Sequence, residues 1–268
     1  MRIGLIGYGT IGRAVAKAIR AGQAGSVELA ALLVRDAGRV SADEVKQLQC
    51  KVTADPDEFF ATETGVVVEV AGHAALKLYA ERALRSGRDV ITVSVGALAD
   101  DMFLSAIKHA AEAGGRRLLI PSGALGALDA ISSAAIGEIE EITLLVRKPP
   151  VAWVGTPAEE AAMKVTDEAV CVYEGRVRKA AGLFPQNVNV ASALSLAGIG
   201  FDRTIIRICA DPTIKHNMFE LHARGDFGEL KLELKNRPRP ENPKTGYLVV
   251  MSVIKAIRRL QDKIIIGY

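Results

Sequence analysis

Residues 3–15 read Ile-Gly-Leu-Ile-Gly-Tyr-Gly-Thr-Ile-Gly-Arg-Ala-Val, and no other run constrains the fold as much. An apolar strand feeds a glycine-rich turn, and the turn opens an amphipathic helix. Gly7 allows the tight turn, Gly9 lets a pyrophosphate approach the backbone, and Gly12 lets the helix lie close to its strand. Thr10 and Ile11 begin the helix, whose open N–H groups and positive dipole end favour phosphate. Glycine turns are common in proteins. The strand before and the helix after make this one a dinucleotide site.

The rest of the first 120 residues keeps that rhythm. Apolar runs at 27–34, 65–70, 89–95 and 117–120 alternate with helical patterns at 75–86 and 100–113. Near-continuous Val, Ile and Leu runs separated by helices belong to parallel strands covered on both faces. The expected class is α/β, a Rossmann-type doubly wound parallel sheet. A composition of 49% hydrophobic but only 5% aromatic residues suits it, and 268 residues suffice for two modest domains. The formal net charge of +3, with both signs interspersed, gives no basic face for nucleic acid. No apolar run approaches the roughly 20 residues of a membrane span, and the N-terminal run is itself strand one. These features predict a soluble cytoplasmic protein. Cys50, Cys171 and Cys209 lie far apart, with no CxxC and no histidine at metal-ligand spacing. They read as free thiols in a reducing compartment, buried as small hydrophobes, and no metal is expected.

A helix at 128–136 leads away from the first sheet, and from about residue 141 the pattern changes. Strand-like runs at 142–147, 169–173, 204–210, 218–222 and 229–234 follow one another, with a single helical pattern at 188–197 and a hairpin through Phe227-Gly228. This is the signature of an inserted α+β domain on a mostly antiparallel sheet. Residues 236–244 carry three prolines and read as a connector, and 247–260 as a helix with a basic last turn. The expected division is a dinucleotide-binding domain over 1–122, an α+β substrate and dimerisation domain over 123–240, and a returning helix over 241–268.

Ligands of open α/β sheets bind outside the carboxyl ends of the strands. Ala71-Gly72-His73, Ser94-Val95-Gly96-Ala97 and Pro121-Ser122-Gly123-Ala124 lie at such ends. With the glycine loop they fit a nicotinamide trough for NAD or NADP. His73 either contacts ligand there or satisfies its own turn. At the end of strand two, Asp36 can accept from the ribose hydroxyls of NAD, while Arg35 can pair with the 2′-phosphate of NADP, so the pair leaves the choice open. Lys148 is either a point charge for a substrate carboxylate or a solvated strand-end lysine. Ser122 and Asn187 offer neutral hydrogen bonds near the nicotinamide. Trp153 reads as a packing residue.

Over essentially its full length the chain resembles the L-aspartate dehydrogenases. The marks are the glycine loop, Glu69-Val70-Ala71-Gly72-His73, Pro121-Ser122-Gly123-Ala124, and Arg147-Lys148-Pro149-Pro150 with Trp153. Further along come Leu183-Phe184-Pro185 with Asn187-Val188-Asn189-Val190-Ala191, then Ala210-Asp211-Pro212 and Asn242-Pro243-Lys244-Thr245. The resemblance implies NAD(P)-dependent interconversion of aspartate with iminosuccinate, or with oxaloacetate and ammonia. It also implies that Ala124 and Asn189 contact the nicotinamide cofactor. A small amino or imino acid is the expected partner, and a homodimer the default assembly.

One departure bears on catalysis. Where the family carries its acid/base histidine, in Asn-x-His after Ala-Asp-Pro, this chain has Asn217-Met218-Phe219. Phenylalanine cannot carry a proton. His216, three residues earlier, is the candidate substitute if a turn brings it into the cleft, whereas His222 should point away from Phe219 on a strand. His109 falls in a helical pattern as a solvated residue. Lys179 and Gln186 stand where a Glu and a Lys are expected. Phe219 also makes the substrate pocket more apolar. An imine or amino-acid reductase with another substrate, or a weakened NAD(P)-binding regulatory protein, are the alternatives.

Overall fold

The structure is a computed structural model describing residues 1–185, 187–239 and 242–267, with backbone alone at 243–245. It divides into two units, Met1–Pro121 with Val250–Ile266, and Ser122–Val249 with Gly267.

The first unit runs β1 (Arg2–Ile6), α1 (Thr10–Arg20), β2 (Glu28–Leu33), α2 (Ala42–Leu48), β3 (Lys51–Thr53), α3 (Pro56–Ala61), β4 (Val66–Glu69), α4 (His73–Arg85), β5 (Asp89–Thr92), α5 (Asp101–Gly114) and β6 (Leu118–Leu119). The six strands are parallel, in the order β3-β2-β1-β4-β5-β6. Winding therefore reverses between β1 and β4, and a ligand crevice belongs at their carboxyl ends. The strands are apolar because they are covered on both faces: Ile3, Leu5, Val68 and Ile91 have no exposed surface. The short α2–β3–α3 stretch has too few apolar residues to show a period. Local signals make it instead: a capping box between Ser41 and Glu44 starts α2, and Asp55 caps α3 before Pro56.

The second unit contains α6 (Leu128–Ala134), β7 (Ile139–Lys148), α7 (Glu159–Met163), β8 (Val170–Arg176), α8 (Val177–Leu183), α9 (Asn189–Ala197), β9 (Ile205–Ala210), β10 (Asn217–Gly225), β11 (Gly228–Asn236), β12 (Pro238–Arg239) and β13 (Asn242–Gly246). Its main sheet has the order β11-β10-β7-β9-β8, antiparallel at each pairing except β7–β9. Alternation along β10 buries Asn217, Phe219, Leu221 and Ala223 on one face and leaves Glu220, His222 and Arg224 on the other. α10 (Tyr247–Arg259) begins at the end of the second unit, and its Val250, Val253 and Ile257 join Ile3, Leu5, Val15 and Ile19 in the core of the first.

The expectation of three free thiols is corrected. Cys171 and Cys209 form a disulfide, because the antiparallel register of β8 and β9 sets them directly opposite each other. Cys171 is exposed rather than buried. Only Cys50 is free, packed at the edge of the first unit's core, where burial pushes its thiol pKa up to about 11.

Candidate active site

Gly7 follows β1 with φ +100°, and a Cβ there would lie 2.7 Å from that of Ala71. The first glycine thus presses the β1 turn against the β4 turn, uniting two of the segments expected to bind cofactor. A side chain at Gly12 would collide with the Gly7 carbonyl, which fixes how closely α1 approaches the loop. At Gly9 a Cβ would meet nothing within 4 Å, so the space before α1 is open. Gly9 is also the N-cap residue, and no side chain caps the helix. Thr10 and Ile11 stand half-buried in its first turn. Open donors, a positive dipole end and a cradle that side chains would fill suit a pyrophosphate. The residues present fit a dinucleotide.

The β4 turn is shaped by a carboxylate inside the protein. Glu69 ends β4 with 1% of its surface exposed. Its Oε1 accepts from the backbone N–H groups of Ala71 (2.7 Å) and Gly72 (2.8 Å), and its Oε2 accepts from Thr92 Oγ1 (2.6 Å). Thr92 Oγ1 in turn accepts from the Ser94 N–H at 3.0 Å. One side chain therefore locks the turns after β4 and β5 together. Burial pushes the Glu69 pKa up, although these hydrogen bonds favour the ionised form. Gly72, at φ +126°, caps α4, and His73 is half-buried in its first turn. The Glu69 role was missed in the sequence, although a lone carboxylate in a Val-Val-Val-Glu-Val run signals one.

In the second unit, Lys148 ends β7 with 3% exposure, which corrects the reading of a solvated strand-end lysine. Its Nζ donates to Asn187 Oδ1 at 2.9 Å and lies 5.4 Å from the ring centroid of Trp153. Trp153 is fully buried, on a short 3-10 turn at Pro150–Trp153. Asn187 Nδ2 and Trp153 Nε1 are buried donors without a hydrogen-bond acceptor. A buried ammonium beside two unused N–H donors is a set that welcomes a carboxylate. Phe219, 4% exposed, pairs with Val146 across β10 and β7, on the same face as Lys148 two positions along. Asp211, at 1% exposure, holds the loop before β10: its N–H donates to Lys148 O at 2.9 Å, and its Oδ1 accepts from Thr213 N and Oγ1. His216 is exposed on that loop, while His222 faces the opposite side of the sheet, with Nε2 2.8 Å from Glu229 Oε1. Ala124, 4% exposed, follows Gly123 at φ +63°, and its carbonyl accepts from Asn236 Nδ2 at 2.9 Å. Ser122 is half-buried just before it, and Asn189 is the half-buried first residue of α9.

Residues 129–260 match the family model described as aspartate dehydrogenase, C-terminal, and residues 7–121 match that of the homoserine dehydrogenase NAD-binding domain. The L-aspartate dehydrogenase of Methanosarcina barkeri is 38% identical over 100% of this chain and 99% of its own. The chain belongs to the L-aspartate dehydrogenase family. The Pseudomonas aeruginosa member is 37% identical over 96% of both chains. The crystal structure of aspartate dehydrogenase from Thermotoga maritima superimposes with a TM-score of 0.79 at 26% identity, covering 100% of this chain and 99% of that one. The first unit is accordingly an NAD-binding domain, and its cofactor is NAD or NADP. Of the family-type departures, Phe219 lies in the buried sheet face, Lys179 is exposed on α8, and Gln186 falls outside the described residues.

Proposed function

We propose that this chain catalyses the NAD(P)-dependent interconversion of L-aspartate with iminosuccinate, or with oxaloacetate and ammonia. The observation that carries the reading is the buried donor set of Lys148, Asn187 and Trp153, which suits a carboxylate within a family named for a dicarboxylic amino acid. Gly7, Gly9, Thr10, Ile11 and Gly12 hold the pyrophosphate, while the Glu69-braced Ala71, Gly72, His73 and Ser94 shape the floor near the nicotinamide. Ser122, Ala124 and Asn189 are assigned to cofactor and substrate contacts on the family resemblance. A bound nicotinamide would supply a hydride acceptor for the substrate Cα. The protein's part is to orient Cα, neutralise carboxylates and exclude water.

Phe219 cannot hold or move the proton that a histidine at its position would. His216, exposed on the neighbouring loop, is the proposed proton carrier for carbonyl amination. Reduction of a preformed imine makes less demand on it, because carbinolamine dehydration need not occur on the protein. The buried, apolar Phe219 also favours a second reading, an imine or amino-acid reductase with a less polar substrate.

Reductive amination of oxaloacetate with ammonium and NADH or NADPH, followed by nicotinamide absorbance, tests the first reading. Turnover is expected, and Lys148→Met should raise KM for oxaloacetate roughly ten- to a hundredfold while cofactor binding persists. Cofactor binding without turnover of any dicarboxylate would favour the second reading.

We also propose a homodimer. The sheet face opposite Phe219 carries an open groove of about 550 Å³ lined by Glu141, Arg207, Glu220, His222, Lys231 and Glu233. Interleaved charges of both signs are suited to self-complementary pairing about a twofold axis. Light scattering reads the assembly directly, and a monomeric mass would remove it.

A further inference from the structure

The turn after β2 bears on which dinucleotide the chain selects. The Gly7 N–H donates to Leu33 O at 2.9 Å, so the glycine loop is tied to the last residue of β2. Residues just beyond such a strand meet the adenosine ribose, where an acid accepts from the 2′-hydroxyl of NAD and an arginine accommodates the 2′-phosphate of NADP.

The first residue past the strand is Val34, half-buried against the core, whose side chain cannot accept a hydrogen bond. Asp36, the acid of the turn, is already engaged. It caps the short 3-10 turn Ala37–Arg39, with Oδ1 accepting from the Gly38 N–H at 3.0 Å, and its Oδ2 lies 3.5 Å from Arg39 Nε. Glu44 on α2 is committed as well. Its Oε2 accepts from Ser41 N and Oγ at 3.0 and 3.1 Å, and its Oε1 pairs with Arg13. Arg35, next to Asp36 in the turn, is exposed and has no ion pair among the described residues.

We propose that this chain selects NADP(H) over NAD(H), with the Arg35 guanidinium taking the 2′-phosphate. The proposal rests on the reading of the first unit as a dinucleotide site. A guanidinium presents two parallel donors to a phosphate that carries close to two negative charges, whereas the Asp36 carboxylate, the acceptor a ribose hydroxyl needs, is drawn into its own turn by the Gly38 N–H and Arg39.

The test is equilibrium binding to the full chain without substrate, read by nicotinamide fluorescence and by calorimetry. NADPH should bind at least about tenfold more tightly than NADH. Adenosine 2′,5′-bisphosphate should displace it far better than adenosine 5′-monophosphate. Arg35→Ala, at an exposed position, should erase most of that advantage while leaving NADH binding unchanged. Equal or tighter binding of NADH overturns the proposal, as does an Arg35→Ala variant that weakens both cofactors alike. If neither cofactor binds, the dinucleotide reading of the first unit falls, and this proposal with it.

Discussion

Phe219 and Glu69 show how one residue sets the limits of a site. Phe219 occupies a buried strand position on the face that also carries Lys148, so its ring sets the local polarity and supplies no proton. General acid/base groups contribute about 10²–10⁴ in rate. Phe219→His should therefore raise kcat for oxaloacetate amination on the order of tenfold or more with little change in cofactor Kd. An unchanged or lower kcat would mean that the pocket serves another substrate. Glu69 carries a raised pKa because burial outweighs its hydrogen bonds. A carboxyl whose folded pKa is raised contributes stability below its unfolded pKa and loses it as pH rises through the folded value. Glu69→Gln keeps an oxygen for the Ala71 and Gly72 N–H groups and removes the buried charge. The melting temperature of the variant relative to the parent should then climb as pH rises above the ordinary carboxylate range. A difference constant from pH 4 to pH 8 would count against the raised pKa.

At the scale of elements, legibility in the sequence followed length and periodicity. β1–α1, β4 and α5 stand out because several consecutive residues repeat one burial pattern, and the observed bounds fall within a few residues of those read from the chain. α2, β3 and α3 were not legible: at 7, 3 and 6 residues they are held by caps and by β3 pairing with β2, not by a period. The Cys171–Cys209 link was hidden for a related reason. Its partners are 38 residues apart, and only the β8–β9 register makes them neighbours. Thiol titration of the denatured, unreduced chain should find one group, and three after reduction. In the native state Cys50 should resist alkylation at neutral pH, since a thiol with a pKa near 11 offers little thiolate. Three titratable thiols without reduction would exclude the disulfide.

For the whole molecule, the order of the chain and the order in space differ. α10 leaves the second unit and completes the core of the first with Val250, Val253 and Ile257, more than 240 residues after the strand they cover. The first unit therefore depends on the last helix. Ile257 has no exposed surface, and Ile257→Ala should cost roughly 2–5 kcal/mol of the first unit's stability in chemical denaturation. A loss below about 0.5 kcal/mol would show the helix to be dispensable. The same non-local logic governs the buried donor set proposed to take a carboxylate, where Lys148, Trp153 and Asn187 come from a strand end, a 3-10 turn and a loop.

By itself the sequence determined the glycine loop between β1 and α1, the doubly wound first sheet, the family and a phenylalanine where the resemblance led one to expect a histidine, because each is written in contiguous residues or in a short period. Only the tertiary structure decided that Lys148 is buried, that Glu69 braces two turns, that Asp36 is engaged while Arg35 is not, and that two cysteines are joined. Those outcomes depend on desolvation and on pairing between residues distant in the chain. The glycine loop could announce a dinucleotide from thirteen letters, but the proposed choice between ribose hydroxyl and phosphate rests on how the side chains of the turn after β2 are paired, which no contiguous run records.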